Sequence, residues 1–484
     1  MLKYAGIFGG VQGLKMLMSI IRTKLASKLL GPAGIGLMGI YINVSDFLAS
    51  STNLGLPMST VQHLSELQGE QDDAAIARFV RVIRSWSLAL AIVAMVLCVG
   101  LAPLLGSMFS EAENTVGWDL ALLAPMVGAL LVTGGEVAIL KGTRHLKRIA
   151  LISLLAAVAT LVFTVPFFYA WGIAGILAAL DVSTIAVLIV HLCFSLPLFR
   201  WRVSLTDRDV WRAGWPMVKV GIPYVMAAIA GSGVAMALPA LMLRYGTMDD
   251  VGYYRVGYML MVTYASIVFT SLEADFFPRL SSVNHDTQLR NDTINQQIRV
   301  NVLLVAPLLI AMIVLIHVMI RVLTSVEFLP VADMAVCSVY YMFLRAITLP
   351  LGFVPLACSH STRYLLMEVV YDAVSLGLIV GGYIEWGLIG AGIGLSLSAL
   401  FDMIVLSLYY GHCYQLTLQR ATLRLVLPQA IIVGIALWIC LLDISPLMRY
   451  ALGAVCLALS VWLSYGVLSR ESTIVAKIKQ RLHR

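Results

Sequence analysis

Long apolar runs alternate with short polar joints along almost the whole chain. Each run is about as long as the roughly 20 apolar residues that cross a bilayer as a helix. The pattern predicts about fourteen helices, near 6–29, 34–60, 80–106, 118–140, 146–169, 172–198, 217–244, 250–277, 295–322, 332–356, 362–384, 387–411, 423–442 and 446–468. The longest polar joints are 66–79, 199–216, 279–294 and the tail 469–484. None of them has room for a folded soluble domain. The fold class expected is an all-α polytopic membrane protein.

Composition agrees. Of 484 residues, 60% are hydrophobic and 12% charged, and the mean hydropathy is +0.91. A soluble domain carries about 25% charged residues, so lipid must solvate most of this surface. The seven cysteines form no C-x-x-C pair and read as small buried hydrophobes. The first run holds Lys15, Arg22, Lys24 and Lys28 with no small-residue cleavage site after it, so it reads as a retained helix.

With a cytoplasmic N-terminus, 24 of the 33 Lys and Arg fall on the cytoplasmic side or at nearby helix ends. The opposite joint at 107–117 has Glu111 and Glu113 and no base. This is the positive-inside bias, and an even helix count puts both termini in the cytoplasm. The net charge of +7 is mostly that excess, and no nucleic-acid motif accompanies it.

The halves repeat at one offset. Adding 215 carries Gly31 to Gly246, Arg84 to Arg299, His145 to His360 and Arg148 to Arg363. It also carries Trp171-Gly172 to Trp386-Gly387 and Gly175 to Gly390. Six helices separate each pair, so the repeat is parallel, as in many transporters. The expected domains are an N-lobe at 1–198, a cytoplasmic linker at 199–216 and a C-lobe at 217–411. Helices thirteen and fourteen (412–468) and a basic tail (469–484) follow.

The stretch Ile21–Tyr41, IRTKLASKLLGPAGIGLMGIY, places an Arg near the end of helix one and Leu-Gly-Pro-x-Gly-x-Gly at the start of helix two. With Gly142, Arg144 and His145 at the fourth joint, it resembles the Wzx oligosaccharide flippases of the multidrug/oligosaccharidyl-lipid/polysaccharide (MOP) exporter superfamily. Lipid II flippases share the Arg of helix one but have an Asp after it, where this chain has Thr23. Drug exporters share the twelve-helix repeat and lack the basic first helix and the extra pair. The resemblance implies an alternating-access flippase in the bacterial inner membrane. Its cargo would be a polyprenyl-diphosphate-linked oligosaccharide: an O-antigen, common-antigen or exopolysaccharide repeat unit. A cation-coupled multidrug exporter and a lipid II flippase are the alternatives.

A charge at mid-membrane costs about 2.5–3.5 kcal/mol on insertion scales, so such groups face a cavity or a partner. Gln12, Lys15, Ser19 and Arg22 share one face of helix one, with Lys24 nearby. Arg255 with Tyr258 in helix eight, and Arg345 in helix ten, add to the basic set. Lys15, Arg22, Arg255 and Arg345 are the candidates for a diphosphate, which Arg binds bidentately. Glu368 and Asp372 are alternative ion-pair partners of Arg345. Asp46, Glu136, Asp181 and Asp372 are candidates for H+ or Na+ coupling, or for plain helix–helix hydrogen bonds. Glu273, Asp275 and Asp402 complete the intramembrane acids. There is no Walker A, H-E-x-x-H, zinc cluster or nucleophile elbow, and outward joints are too short for catalytic loops. The expectations are therefore no enzyme activity, no cofactor or metal, a monomer, the lipid bilayer as solvent, and a polysaccharide polymerase complex as a possible partner.

Overall fold

In a computed structural model, residues 2–70, 72–109, 116–358 and 360–471 are described, and all of their regular structure is helical. The joint acids Glu111 and Glu113 and the tail 472–484 lie outside the described residues. So do the side chains of Lys3, Gln12, Lys219, Glu273, Asp275 and Arg470.

By internal contacts the chain divides into two units. The first is Met1–Gly252 with Leu323–Ser325, and the second is Tyr253–Val322 with Val326–Arg484. The first holds α1 (Leu2–Thr52), α2 (Leu56–Glu70), α3 (Asp73–Ser107), α4 (Val116–Leu122), α5 (Ala124–Gly142), α6 (Leu146–Trp171), α7 (Ile176–Ser195) and α8 (Arg208–Tyr245). α9 (Met248–Tyr258) begins in the first unit and leads into α10 (Tyr264–Ser282) through a π-helical turn at Met259–Thr263. The second unit continues with α11 (Thr287–Val314), α12 (Ile316–Leu323), α13 (Val331–Cys337), α14 (Val339–Gly352), α15 (Val354–Ala357), α16 (Ser361–Tyr414), α17 (Arg420–Leu441) and α18 (Pro446–Glu471).

Among the described residues, ten stretches are long and apolar enough to cross a membrane. Three of them, Gly13–Thr52, Lys147–Ser195 and Thr362–Tyr414, run for 40, 49 and 53 residues, about twice what one crossing needs. Each is broken once near its middle. The breaks are at Gly31 (φ 65°), at Trp171-Gly172 and at Trp386-Gly387.

The last two breaks are copies of each other. Trp171 has φ −124° and ψ 1°, and Trp386 has φ −133° and ψ 18°. Gly172 has φ 54° and ψ −130°, and Gly387 has φ 61° and ψ −144°. Just beyond each break a second glycine packs against the incoming helix. A Cβ at Gly175 would press on the Phe167 carbonyl, and one at Gly390 on the Gly382 carbonyl, again at the offset of 215. The two sides of each break therefore form a close helical hairpin. His145 and His360 likewise precede α6 and α16 with matching backbone angles. The sequence repeat is thus a repeat of backbone conformation.

The polar joints carry helix starts. Asp72, Asp207 and Asp286 each accept hydrogen bonds from backbone N–H groups in the first turn of α3, α8 and α11. Because these caps lie inside the joints, α3 and α11 begin at Asp73 and Thr287, earlier than the apolar pattern places them. The expected helix 34–60 ends at Thr52, a turn through Asn53–Gly55 starts α2, and the end of α2 with the start of α3 takes up most of the joint at 66–79. The expected helix 295–322 is interrupted at Leu315. The expected linker 199–216 is not where the contacts divide the chain. α8 packs on α1, α2 and α3 and so belongs to the first unit, which runs on to Gly252.

One buried ion pair organises the end of the first unit near residue 199. Arg84 of α3 and Glu136 of α5 are about 2% and 1% exposed and make a bidentate fork, Nε–Oε1 2.7 Å and Nη2–Oε2 3.0 Å. The guanidinium also donates to the carbonyls of Phe199 and Arg200 and to the Ser195 hydroxyl. α3, α5 and the end of α7 are thereby joined through one side chain.

Removing one partner leaves the other charge buried and unpaired, at a cost of about 3–5 kcal/mol. Glu136→Ala should therefore lower the thermal unfolding midpoint in detergent strongly. Glu136→Leu with Arg84→Met should lower it by less than the two single changes summed. In the second unit, Gly387→Ala should cost about 1–2 kcal/mol through its left-handed backbone. Gly390→Ala, against a carbonyl, should cost more, and Gly377→Ala, which meets nothing, should be tolerated. Equal midpoints for Gly390→Ala and the unchanged protein would show that the hairpin is looser than described.

Candidate functional site

α14 and α16 enclose a cavity of about 170 Å³ in the second unit. Apolar Leu349, Phe353, Met367 and Leu406 form part of its wall. The rest is polar: Arg345 and Thr348 from α14, and Tyr364, Glu368, Tyr371, Asp402 and Tyr410 from α16. Heptad-like spacing explains the set. Tyr364, Glu368 and Tyr371 are four and three apart on the first arm of the α16 hairpin, and Asp402, Leu406 and Tyr410 are four apart on the second. The break at Trp386-Gly387 folds one stripe beside the other.

Arg345 is the hub. Its Nη1 lies 3.5 Å from Asp402 Oδ2, with Arg345 about 30% exposed and Asp402 8%. The guanidinium also stands over the Tyr371 ring, 5.7 Å from its centroid. The Tyr371 hydroxyl donates to that of Tyr341 at 3.4 Å. The Tyr341 ring is 6.5 Å from Tyr258, which is 6.2 Å from Tyr254. A band of tyrosines therefore runs from the end of α9 to the cavity. Asp372 lies one turn beyond Glu368 and within the electrostatic reach of Arg345. The formal charge of the lining is one base against two acids, or three acids with Asp372.

Of the sequence candidates Arg345 lines the cavity; Tyr258, reached through Tyr341, and Asp372, next to Glu368, lie near it without lining it. Arg255, one turn before Tyr258, is half-buried and does not line the cavity. The sequence pattern passed over Tyr364, Tyr371 and Tyr410. Their signal was the stripe of polar residues at helical spacing on a helix otherwise apolar.

The remaining candidates lie in the first unit. Lys15 and Ser19 are exposed on α1 and Arg22 is half-buried. Lys24 Nζ donates to the Thr324 carbonyl, and Ser325 Oγ donates to that of Ser27, which ties residues 323–325 to α1. Asp46 is exposed. Glu136 is in the fork with Arg84. Asp181 accepts from the backbone N–H of Met126 at 3.1 Å, in the first turn of α5, where no side chain of its own helix caps the start. Among the described residues no three His, Cys, Asp or Glu are grouped to hold a metal ion.

Comparison with known proteins bears on this architecture. Residues 25–333 match the family described as polysaccharide biosynthesis protein. No match is found among curated proteins. Among solved structures, a lipid II flippase MurJ in an inward closed conformation is similar with a TM-score of 0.70 at 14% identity, over 95% of this chain and 99% of that one. An inward-facing multidrug resistance MATE family transporter of the MOP superfamily is similar with a TM-score of 0.69 at 16% identity, over 84% and 94%. A MOP superfamily transporter from Pyrococcus furiosus, described by the reverse polarity of its binding pocket, reaches 0.55 at 15% identity, over 84% and 93%. The chain shares the fold of these transporters, and it belongs to the polysaccharide biosynthesis protein family.

Proposed function

We propose that the chain is a flippase that moves a polyprenyl-diphosphate-linked oligosaccharide across the bacterial inner membrane. The cargo would be an O-antigen, common-antigen or exopolysaccharide repeat unit, carried from the cytoplasmic to the outer leaflet by alternating access. The observation that carries the reading, beside the family, is the cavity around Arg345. Tyrosine faces and hydroxyls suit sugars, whose rings have apolar C–H faces and hydroxyl edges. A guanidinium suits a phosphate oxygen pair.

On this reading Arg345 contacts the substrate, and Lys15, Arg22 and Arg255 supply further positive charge for the diphosphate. Gln12, Ser19, Lys24 and Tyr258 are the less central contacts. The lipid tail stays in the bilayer. The chain acts without a cofactor and without catalysis, as a monomer, alone or beside a polysaccharide polymerase. Coupling to H+ or Na+ runs through the acids beside Arg345. A cation on Asp402, Glu368 or Asp372 weakens their hold on the guanidinium and frees it for phosphate.

One observation favours a second reading, a cation-coupled exporter of amphipathic drugs. Acids outnumber bases around the cavity, which suits a cationic guest. The two readings part on Arg345. For the flippase, Arg345→Ala, alone and with Arg22→Ala and Arg255→Ala, should remove most surface glycan, by tenfold or more for the triple variant (about 1.4 kcal/mol or more). Lipid-linked repeat units should accumulate on the cytoplasmic face, read by mass spectrometry of extracted lipids. Intact glycan with altered dye or drug sensitivity would replace the flippase reading with the exporter one.

A further inference from the structure

The segment 199–216 reads in sequence as a joint, yet the fold clamps it. Asp207 pairs with Arg81 at 3.2 Å, and the Ser204 N–H donates to Ser85 Oγ at 3.0 Å. Trp86 Nε1 donates to the Val210 carbonyl at 3.2 Å, and Trp211 Nε1 to the Leu205 carbonyl at 3.0 Å. The Trp86 and Trp211 rings meet edge to face at 4.8 Å. Beneath lies a buried cluster that includes Phe79, Ile83, Val210 and Met217. The backbone of this segment is therefore held on α3 along its length.

The clamp decides which side chains remain outside. Around it, Arg81, Arg84 and Arg148 are spent on an acid or on carbonyls. The side chains of Arg200, Arg202, Arg208 and Arg212 are exposed, and none of their guanidinium groups has a hydrogen-bond or ion-pair partner among the described residues. Arg200 and Arg202 flank Trp201 in a stretch without regular secondary structure. The Trp201 ring lies 5.1 Å from the Arg84 guanidinium and still exposes 44% of its surface. Arg208 and Arg212 are four apart on the first turns of α8, and Trp215, 55% exposed, follows three residues on. Of the acids in the segment, Asp207 is occupied by Arg81 and only Asp209 is left exposed beside the four bases.

Exposed guanidinium groups on a clamped backbone, flanked by Trp at the end of membrane-spanning helices, match one kind of partner. Trp settles at the headgroup level of a bilayer, and Arg forks bind phosphodiester oxygens. We infer that residues 199–216 form a docking platform for anionic phospholipid headgroups, built by the clamp on α3. The inference needs only that the chain spans a membrane, and holds whatever the transported substrate is. Near an anionic surface each Arg contributes about fivefold in affinity.

The test is lipid competition on the full chain purified in detergent, with native mass spectrometry reading retained lipid from an equimolar mixture of phosphatidylglycerol and phosphatidylcholine. The unchanged protein should retain phosphatidylglycerol preferentially. The fourfold variant R200Q/R202Q/R208Q/R212Q should lose that preference, and the single variants R208Q and R212Q should each lower it about fivefold. The variant with Lys at all four positions should keep a preference that added salt weakens. The single variants and the Lys variant keep the test open should the fourfold Gln variant fail to fold. Equal retention of the two lipids by the unchanged protein would overturn the platform. So would a wild-type preference in folded Gln variants, or a segment that captures a soluble protein and no lipid.

Discussion

A backbone N–H or C=O without a partner in hydrocarbon costs several kcal/mol, and this constraint shapes the chain more than any side-chain contact. Helices close their own bonds, so every departure from helix needs a local device. At Trp171-Gly172 and Trp386-Gly387 the device is a glycine in the left-handed region. At Asn53–Gly55 the Asn53 side chain accepts from the Gly55 N–H at 2.8 Å. Hydroxyls inside the spans, such as Thr52 and Thr164, donate back to the carbonyl one turn earlier. The hairpins that bring Tyr364, Glu368 and Tyr371 beside Asp402 and Tyr410 exist because the break between them is permitted at that one place.

The same accounting governs charge. Arg84 is matched by Glu136. Arg290 is buried too, and donates to the carbonyls of Asn284 and Tyr414, the latter the last residue of α16. A cation at a helix C-terminus meets the negative end of the helix dipole, so an acid is not required. Asn291 and Asn295 continue from Arg290 along α11 and donate to the carbonyls of Gln415 and Thr417. α11 therefore closes the connection between α16 and α17 with one polar stripe. Arg345 differs from both. It is partly exposed, lies 3.5 Å from its acid and lines a cavity, so its partner can be exchanged.

The helices, the repeat and the two Trp-Gly breaks were legible in the sequence because hydropathy and glycine act locally. Joint boundaries were less so. Asp72 and Asp286 are capping residues, and a reading by apolarity stops short of them. Arg84 reads as one more base at the cytoplasmic rim and Glu136 as an isolated acid. Fifty-two residues separate them, and only the packing of α3 on α5 brings them into register. The sequence puts Arg345 in mid-helix and offers Glu368 and Asp372 of the next helix as its partners. The acid it meets is Asp402, 57 residues on, because the hairpin turn fixes which face of the second arm points inward. Periodicity identifies a stripe but not the stripe it will face.

The candidate acids are not equivalent, and their surroundings order them. Glu136 is held by two short bonds to a buried guanidinium, so protonating it would strand that charge. Asp181 secures the start of α5, where Pro125 has no N–H to offer and the helix lacks a cap of its own. In this conformation both hold structure: Glu136 the buried guanidinium and Asp181 the start of α5. Glu368, Asp372 and Asp402 share a single base among three, and at any moment that base satisfies them only in part. A cation that binds there and an anion that claims Arg345 each ease the demands on the other. By linkage, each raises the affinity for its counterpart by the same factor. Coupling, on the proposed reading, therefore belongs to the second unit, where the charge balance can change without unfolding a helix.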